Sequence, residues 1–271
     1  MLNIFRTRNN KKKALVFVDY EYWFYSYINK YGIRPNVIAW RKELEKQFQI
    51  VDIMIFADFN SPNIGEDLAN LRSITNTIIE TGTATQVRKK DMTDFVMLDY
   101  IYQSVYDRAD VGTYVIFTGD GHFQSVVKYL DQKCSKNVVV YGVDYTFSNR
   151  LKTVARSFEL LPTKQELEDC YSKMILKYFA RINNKRNVIP TFWGTVEAVA
   201  KFNSVAEDSI KSALLRLIAN EYISQRDIKL SKDKQTRIVV PDWDKLRRDG
   251  VYEFTPQQGG RSSGGSGHNA V

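Results

Sequence analysis

The feature that most narrows the fold is an alternation that runs through the first 160 residues. Five short apolar runs, Ala14–Val18, Asp52–Ala57, Thr83–Val87, Tyr114–Phe117 and Asn137–Val143, are separated by longer amphipathic segments. Runs such as ALVFV, YVIF and NVVVYGV are rich in β-branched and aromatic residues and carry no alternating polar face. Such runs suit strands buried on both faces, as in a parallel sheet. The segments Asn36–Phe48, Glu66–Glu80, Met92–Tyr106 and Phe123–Asp131 read as helices. Strand and helix in turn predict an α/β fold, a doubly wound parallel sheet covered on both sides.

After Leu161 the pattern changes. Pro162 breaks the chain, Thr163-x-x-Glu166 is a capping box, and a helix over Lys164–Arg181 follows. A second helix begins at Thr191, and a third is predicted from Ser204, with Ser204-x-x-Glu207 as its cap, to Asn220. YISQRDIKL and TRIVVPDW then read as two strands around a polar turn, Ser231–Gln235. Three helices and a hairpin are the order of a small winged helix-turn-helix domain. The expected division is a basic arm over 1–13, an α/β domain over 14–161, a winged-helix-like domain over 162–256 and a Gly/Ser-rich disordered tail over 257–271.

Charge is distributed in keeping with that division. The net charge is +8; residues 1–13 carry five basic side chains and no acid, and residues 161–271 carry 18 basic and 13 acidic ones. A slightly acidic body between basic flanks suits a carboxylate site whose surroundings touch phosphates. The two cysteines, Cys134 and Cys170, form no CxxC, no apolar run is long enough to span a bilayer, and the start lacks a signal peptide's apolar stretch. These features predict a cytoplasmic protein that does not engage a membrane; a homodimer is compatible with the sequence. With only His122 and His268, no HExxH, zinc-deaminase or histidine-rich zinc motif can be built, and no GxSxG elbow is present.

Ligands of open α/β sheets bind beyond the carboxyl ends of the strands. Acids follow nearly every predicted strand there: Asp19, Asp58, Asp94 in the opening turn of the next helix, Asp120 and Asp144. One aspartate after a strand is ordinarily a helix cap. Several crowded together repel unless a cation shares them, and hard oxygen ligands select Mg²⁺ or Mn²⁺. Several acids converging on one edge therefore point to a site rather than to caps alone. Arg88, Lys89 and Lys90 near the same edge, and Lys232 and Lys234 in the hairpin turn, are candidates for phosphate contact. The aromatic run YEYWFYSYINKY offers Tyr20 or Tyr22 for stacking on a substrate base, although part of it must pack on the sheet.

The segments VFVDYEY, KKDMTDFVMLDYIYQ and FTGDGHFQSVVKYL, in that order between Ala14 and Leu161, resemble the motifs of the NYN domain, a branch of the PIN-like nuclease superfamily. The resemblance implies a sheet of order 3-2-1-4-5, a divalent-metal site and hydrolysis of RNA, usually endonucleolytic, with RNA the first expected partner and DNA the second. It implies Asp19, Asp94 and Asp120 as the candidate metal ligands and catalytic residues, with His122 a fourth ligand or a proton carrier. Asp58 and Asp99 rank second; Asp99 lies about 140° around the helix from Asp94. The sequence departs from the family at two places. Tyr22 stands where the family usually has Asn, and Asp120-Gly-His122 replaces Asp-x-Asp, so two oxygen ligands are lost. The implied function is a metal-dependent ribonuclease aided by the winged helix; the alternative is a catalytically weak or inactive relative that binds nucleic acid or regulates. A receiver-like signalling domain is disfavoured, because neither an acid pair after the first strand nor a lysine after the fifth stands out.

Overall fold

A computed structural model describes residues 11–82, 92–183, 188–231 and 234–252. The chain divides into two compact units between Glu166 and Leu167.

In the first unit, β1 (Lys12–Asp19) leads directly into helix α1 (Tyr20–Tyr31), followed by α2 (Val37–Gln47) and β2 (Phe48–Ala57). Two short helices, α3 (Pro62–Gly65) and α4 (Leu68–Arg72), precede β3 (Ile78–Glu80). Then come α5 (Met92–Asp107), β4 (Thr113–Phe117), a 3₁₀ turn over Gly121–Phe123, α6 (Gln124–Lys128) and a π-helical turn over Tyr129–Lys133. The unit closes with β5 (Asn137–Val143), α7 (Asn149–Val154), β6 (Ser157–Leu161) and the start of α8 (Lys164–Ile182). All strand pairs are parallel, in the order β3-β2-β1-β4-β5-β6. The predicted order 3-2-1-4-5 is thus extended by a sixth strand. Its sequence, SFELL, is exposed for most of its length and carries no apolar run to announce it.

The central strands are buried on both faces. Leu15 and Phe17 of β1, Tyr114 and Ile116 of β4, and Val138 and Val140 of β5 pack with Met97 and Ile101 of α5, Val126 and Val127 of α6 and Leu151 of α7. The intervening residues face α1 and α2. Trp23 stacks on Phe117 with ring centroids 4.1 Å apart, and Trp40 meets both Phe117 and Tyr141 edge-on. The aromatic run is therefore a helix: Tyr20, Trp23, Phe24, Tyr27 and Tyr31 form a buried stripe at helical spacing. Gly32 ends it in the left-handed conformation, φ 64°, which a glycine adopts without steric cost.

The segment from Glu66 to Glu80 does not form the single helix predicted for it. Ile78 and Ile79 pair with Ile55 and Phe56 instead, and the Thr75 hydroxyl donates to the Ile53 carbonyl at 2.6 Å. Edge pairing outweighs helical periodicity there. The strand expected over Thr83–Val87 lies outside the described residues.

The second unit contains most of α8, then α9 (Phe192–Asn203), α10 (Glu207–Ala219), an antiparallel hairpin of β7 (Ile223–Ser231) and β8 (Lys234–Pro241), and α11 (Trp243–Arg248). Thr191 caps α9 by accepting from the Gly194 amide at 3.2 Å. The cap predicted at Ser204 is not formed. Ser204 is the left-handed C-cap of α9, φ 54°, and α10 starts at Glu207 after Ala206. By contrast, the Thr163 hydroxyl does accept from the Glu166 amide at 3.1 Å at the start of α8. Among the described residues no helix is long and apolar enough to cross a membrane.

Candidate metal centre

Asp19 is both the last residue of β1 and the N-cap of α1. One carboxylate oxygen accepts from the Tyr22 amide at 3.0 Å and the other from the Thr118 hydroxyl at 3.3 Å. Thr118 in turn accepts from the Asp120 amide at 3.2 Å, so one hydroxyl couples the ends of β1 and β4. Asp19 is buried. That burial pushes its carboxyl up to about 8; the Tyr22 amide works against the rise, while Asp94 and Glu21 add negative potential.

Asp120 follows β4 and caps the 3₁₀ turn. Its Oδ1 accepts from the His122 amide at 2.8 Å and lies 3.2 Å from His122 Nδ1. Asp94 sits in the first turn of α5, where the helix dipole favours a negative charge. One ligand atom from each of Asp94, Asp120 and His122 lies within 4.8 Å of the others. Two of the three predicted metal-binding aspartates and His122 thus form the close set. Asp19 stands beside it, felt electrostatically by Asp94 but not part of the set.

The donor set suits a divalent cation. An ion bound at about 2.1 Å requires ligand atoms within roughly 4 Å of one another, which small side-chain rotations reach from here. Two carboxylates and an imidazole fit Mn²⁺ and other first-row ions at least as well as Mg²⁺.

Two features have reasons that the sequence reading did not supply. Gly119 does not need a left-handed backbone; no positive φ occurs there among the described residues. It is required for space, because a β-carbon at 119 would overlap the Tyr22 ring. The second is Glu21, which the sequence reading missed. Its Oε1 accepts from the Asp58 amide at 2.6 Å and the Thr93 hydroxyl at 3.0 Å, and Thr93 also bonds Thr81 at 2.7 Å. Glu21 therefore ties α1 to the end of β2 and to the turn that carries Asp94. Its signal was present: an acid in the first turn of α1, two residues after Asp19.

The remaining candidates are more scattered. The Tyr22 hydroxyl accepts from the Val143 amide at 2.8 Å and meets the Thr146 hydroxyl at 2.9 Å, so Tyr22 braces α1 against the end of β5. Its ring also lines a groove along α1. Asp58 bonds within its own loop, to the Asn60 amide at 3.0 Å, and Asp99 is exposed on α5, bonded to Gln103 at 2.8 Å. Arg88, Lys89, Lys90 and Lys232 lie outside the described residues, and Lys234 is described only as the first residue of β8. Arg150, which the sequence did not single out, is exposed and packs beside Gly121, one residue from both Asp120 and His122.

The NYN domain model matches residues 13–161. No curated protein matches the sequence. Among solved structures, a protein of unknown function from Vibrio parahaemolyticus is 20% identical, over 60% of this chain and 97% of its own, with a TM-score of 0.49. The Aeropyrum pernix ORC1 protein in complex with DNA is 10% identical, over 89% of this chain and 86% of its own, with a TM-score of 0.22. Neither likeness carries an inference to this chain. The family match does: it spans more than half of the sequence and takes in the six-stranded sheet from Lys13 onward, with Asp19, Asp94, Asp120 and His122 inside it, and the chain belongs to the NYN domain family.

Proposed function

We propose that this nuclease-like domain is a divalent-metal-dependent ribonuclease, on the strength of one observation above the others: Asp94, Asp120 and His122, from two separate elements, present ligand atoms within 4.8 Å of one another. Asp94 and Asp120 would hold Mg²⁺ or Mn²⁺, with His122 or Asp19 completing the set. Such an ion would activate water and neutralise charge on the phosphate. The chain's own residues supply the rest. Asp19, buried and with its carboxyl raised to about 8 in the metal-free chain, would be drawn toward its carboxylate form by a cation at Asp94 and Asp120. His122, exposed and 3.2 Å from Asp120, is placed to carry a proton to or from solvent. Arg150 beside the turn, and the Arg88–Lys90 run, would hold phosphates flanking the cleaved bond.

A second reading rests on Tyr22 and His122. Both stand where the family supplies oxygen ligands, and the Tyr22 hydroxyl is committed to Val143 and Thr146. A site so altered would bind RNA without cutting it. The family match ends at residue 161, so the second unit is read as winged-helix-like, and as an aid to nucleic-acid binding, from its order of helices and hairpin alone.

Purified protein with long mixed RNA and Mn²⁺ separates these readings. Asp120→Asn should lower cleavage about a hundredfold or more, since it removes the charge that holds the ion. Equal cleavage by both proteins would mean a contaminating nuclease. RNA bound but uncut by the unmodified chain would establish the binding protein.

A further inference from the structure

A groove of about 380 Å³ runs along the outer side of α1, lined by Glu21, Tyr22, Tyr25, Ser26, Asn29, Lys30 and Thr146. Its lining runs from Glu21 and Tyr22 to Lys30 along the helix. Beside it stands Tyr145, the third residue of a tight turn in which the Thr146 amide donates to the Val143 carbonyl at 3.2 Å. Its φ is 67°. That position favours glycine or asparagine, and a bulky side chain there is a steric outlier. The strain is not offset by burial, because Tyr145 is 77% exposed. Its ring is held instead by Lys30, whose ammonium lies 4.7 Å from the ring centroid. Local turn chemistry and core packing both argue against a tyrosine here, and a strained residue at a functional edge points to a role in binding.

We propose that this groove holds the single strand of nucleic acid flanking the cleaved bond, with Tyr145 as a platform for one unpaired base and Lys30 as its phosphate contact. The proposal rests on the reading of the chain as acting on nucleic acid. Three observations select this occupant. One residue of its lining adjoins the buried acid, since the Tyr22 amide donates to Asp19 at 3.0 Å. The cation at its far end offers charge to a phosphate. The exposed ring, already oriented by a cation, presents a π-face that accepts any base.

The test uses the whole chain in EDTA, which prevents cleavage, with short fluorescein-labelled oligouridylate and oligothymidylate read by anisotropy. Tyr145→Phe should bind as the unmodified protein does. Tyr145→Gly should bind about fivefold or more weakly, yet its melting temperature should not fall, because glycine accepts the left-handed conformation freely. Lys30→Gln should weaken binding and reduce its salt dependence. Oligouridylate carrying 5-iodouracil should crosslink to Tyr145. Undiminished binding by Tyr145→Gly, crosslinks mapping away from α1, or no binding of either oligonucleotide would each overturn the groove. Cleavage of long RNA that depends on Asp120 would then still stand, so the two readings fail separately.

Discussion

Asp19 couples a folding role to the proposed chemistry. It caps α1 and is buried beside the set formed by Asp94, Asp120 and His122. Its carboxyl is raised from 3.8 to about 8, so the folded chain holds this proton more tightly than the unfolded chain does. The stabilisation it brings is complete below about pH 4, declines as pH rises, and is gone above about pH 8. Urea unfolding at about pH 5 and about pH 8 without divalent ions should therefore show a loss that Asp19→Asn flattens. Added Mn²⁺ should offset the loss in the unmodified protein, since a nearby cation favours the carboxylate; an Asp19→Asn variant with the same pH slope would remove this account.

At the scale of elements, the site depends on how α5 is docked. Asp94 reaches the site because α5 begins beside the ends of β2 and β3, and Glu21 fixes that beginning through Thr93 and the Asp58 amide. Glu21→Ala leaves those donors without their carboxylate and should cost about 1–3 kcal/mol. It should also weaken Mn²⁺ binding about tenfold, as loss of a group that orients ligands commonly does. Calorimetric titration and thermal unfolding measure the two effects; an unaltered Mn²⁺ affinity would mean that Asp94 holds its place without Glu21. The same logic explains Gly119, whose lack of a side chain lets the Tyr22 ring close over the turn that presents Asp120.

For the molecule as a whole, charge separates the two functions the chain would need. The acidic residues of the candidate site fall between Asp19 and Asp120, while the positive excess lies outside that stretch, in residues 1–13 and 161–271. Along the hairpin, Arg237 is engaged by Asp227 directly across the ladder, with Nε 2.9 Å from the carboxylate. That pairing makes Arg237 less available to phosphate, which leaves Lys232 and Lys234 as the candidates in the hairpin. Reversing Lys232 and Lys234 to glutamate should lower the salt slope of RNA binding by about two and leave Asp120-dependent cleavage of saturating RNA intact. An unchanged slope would take the hairpin out of the interface.

Sequence alone determined the α/β class, the strand-end position of Asp19 and Asp120, and the place of Asp94 in the first turn of α5. Doubly buried strands must be apolar throughout, and site acids must follow them, so both leave a local trace. Ile78–Glu80 and Ser157–Leu161 left none: edge strands are short or exposed, and their identity comes from the neighbour they pair with. Tertiary structure alone decided that His122 joins Asp94 and Asp120 while Asp19 stands just outside, that Glu21 is the tie between α1 and α5, and that Tyr22 braces β5. Each of these depends on distances between residues far apart in the chain, and no local propensity encodes such a distance.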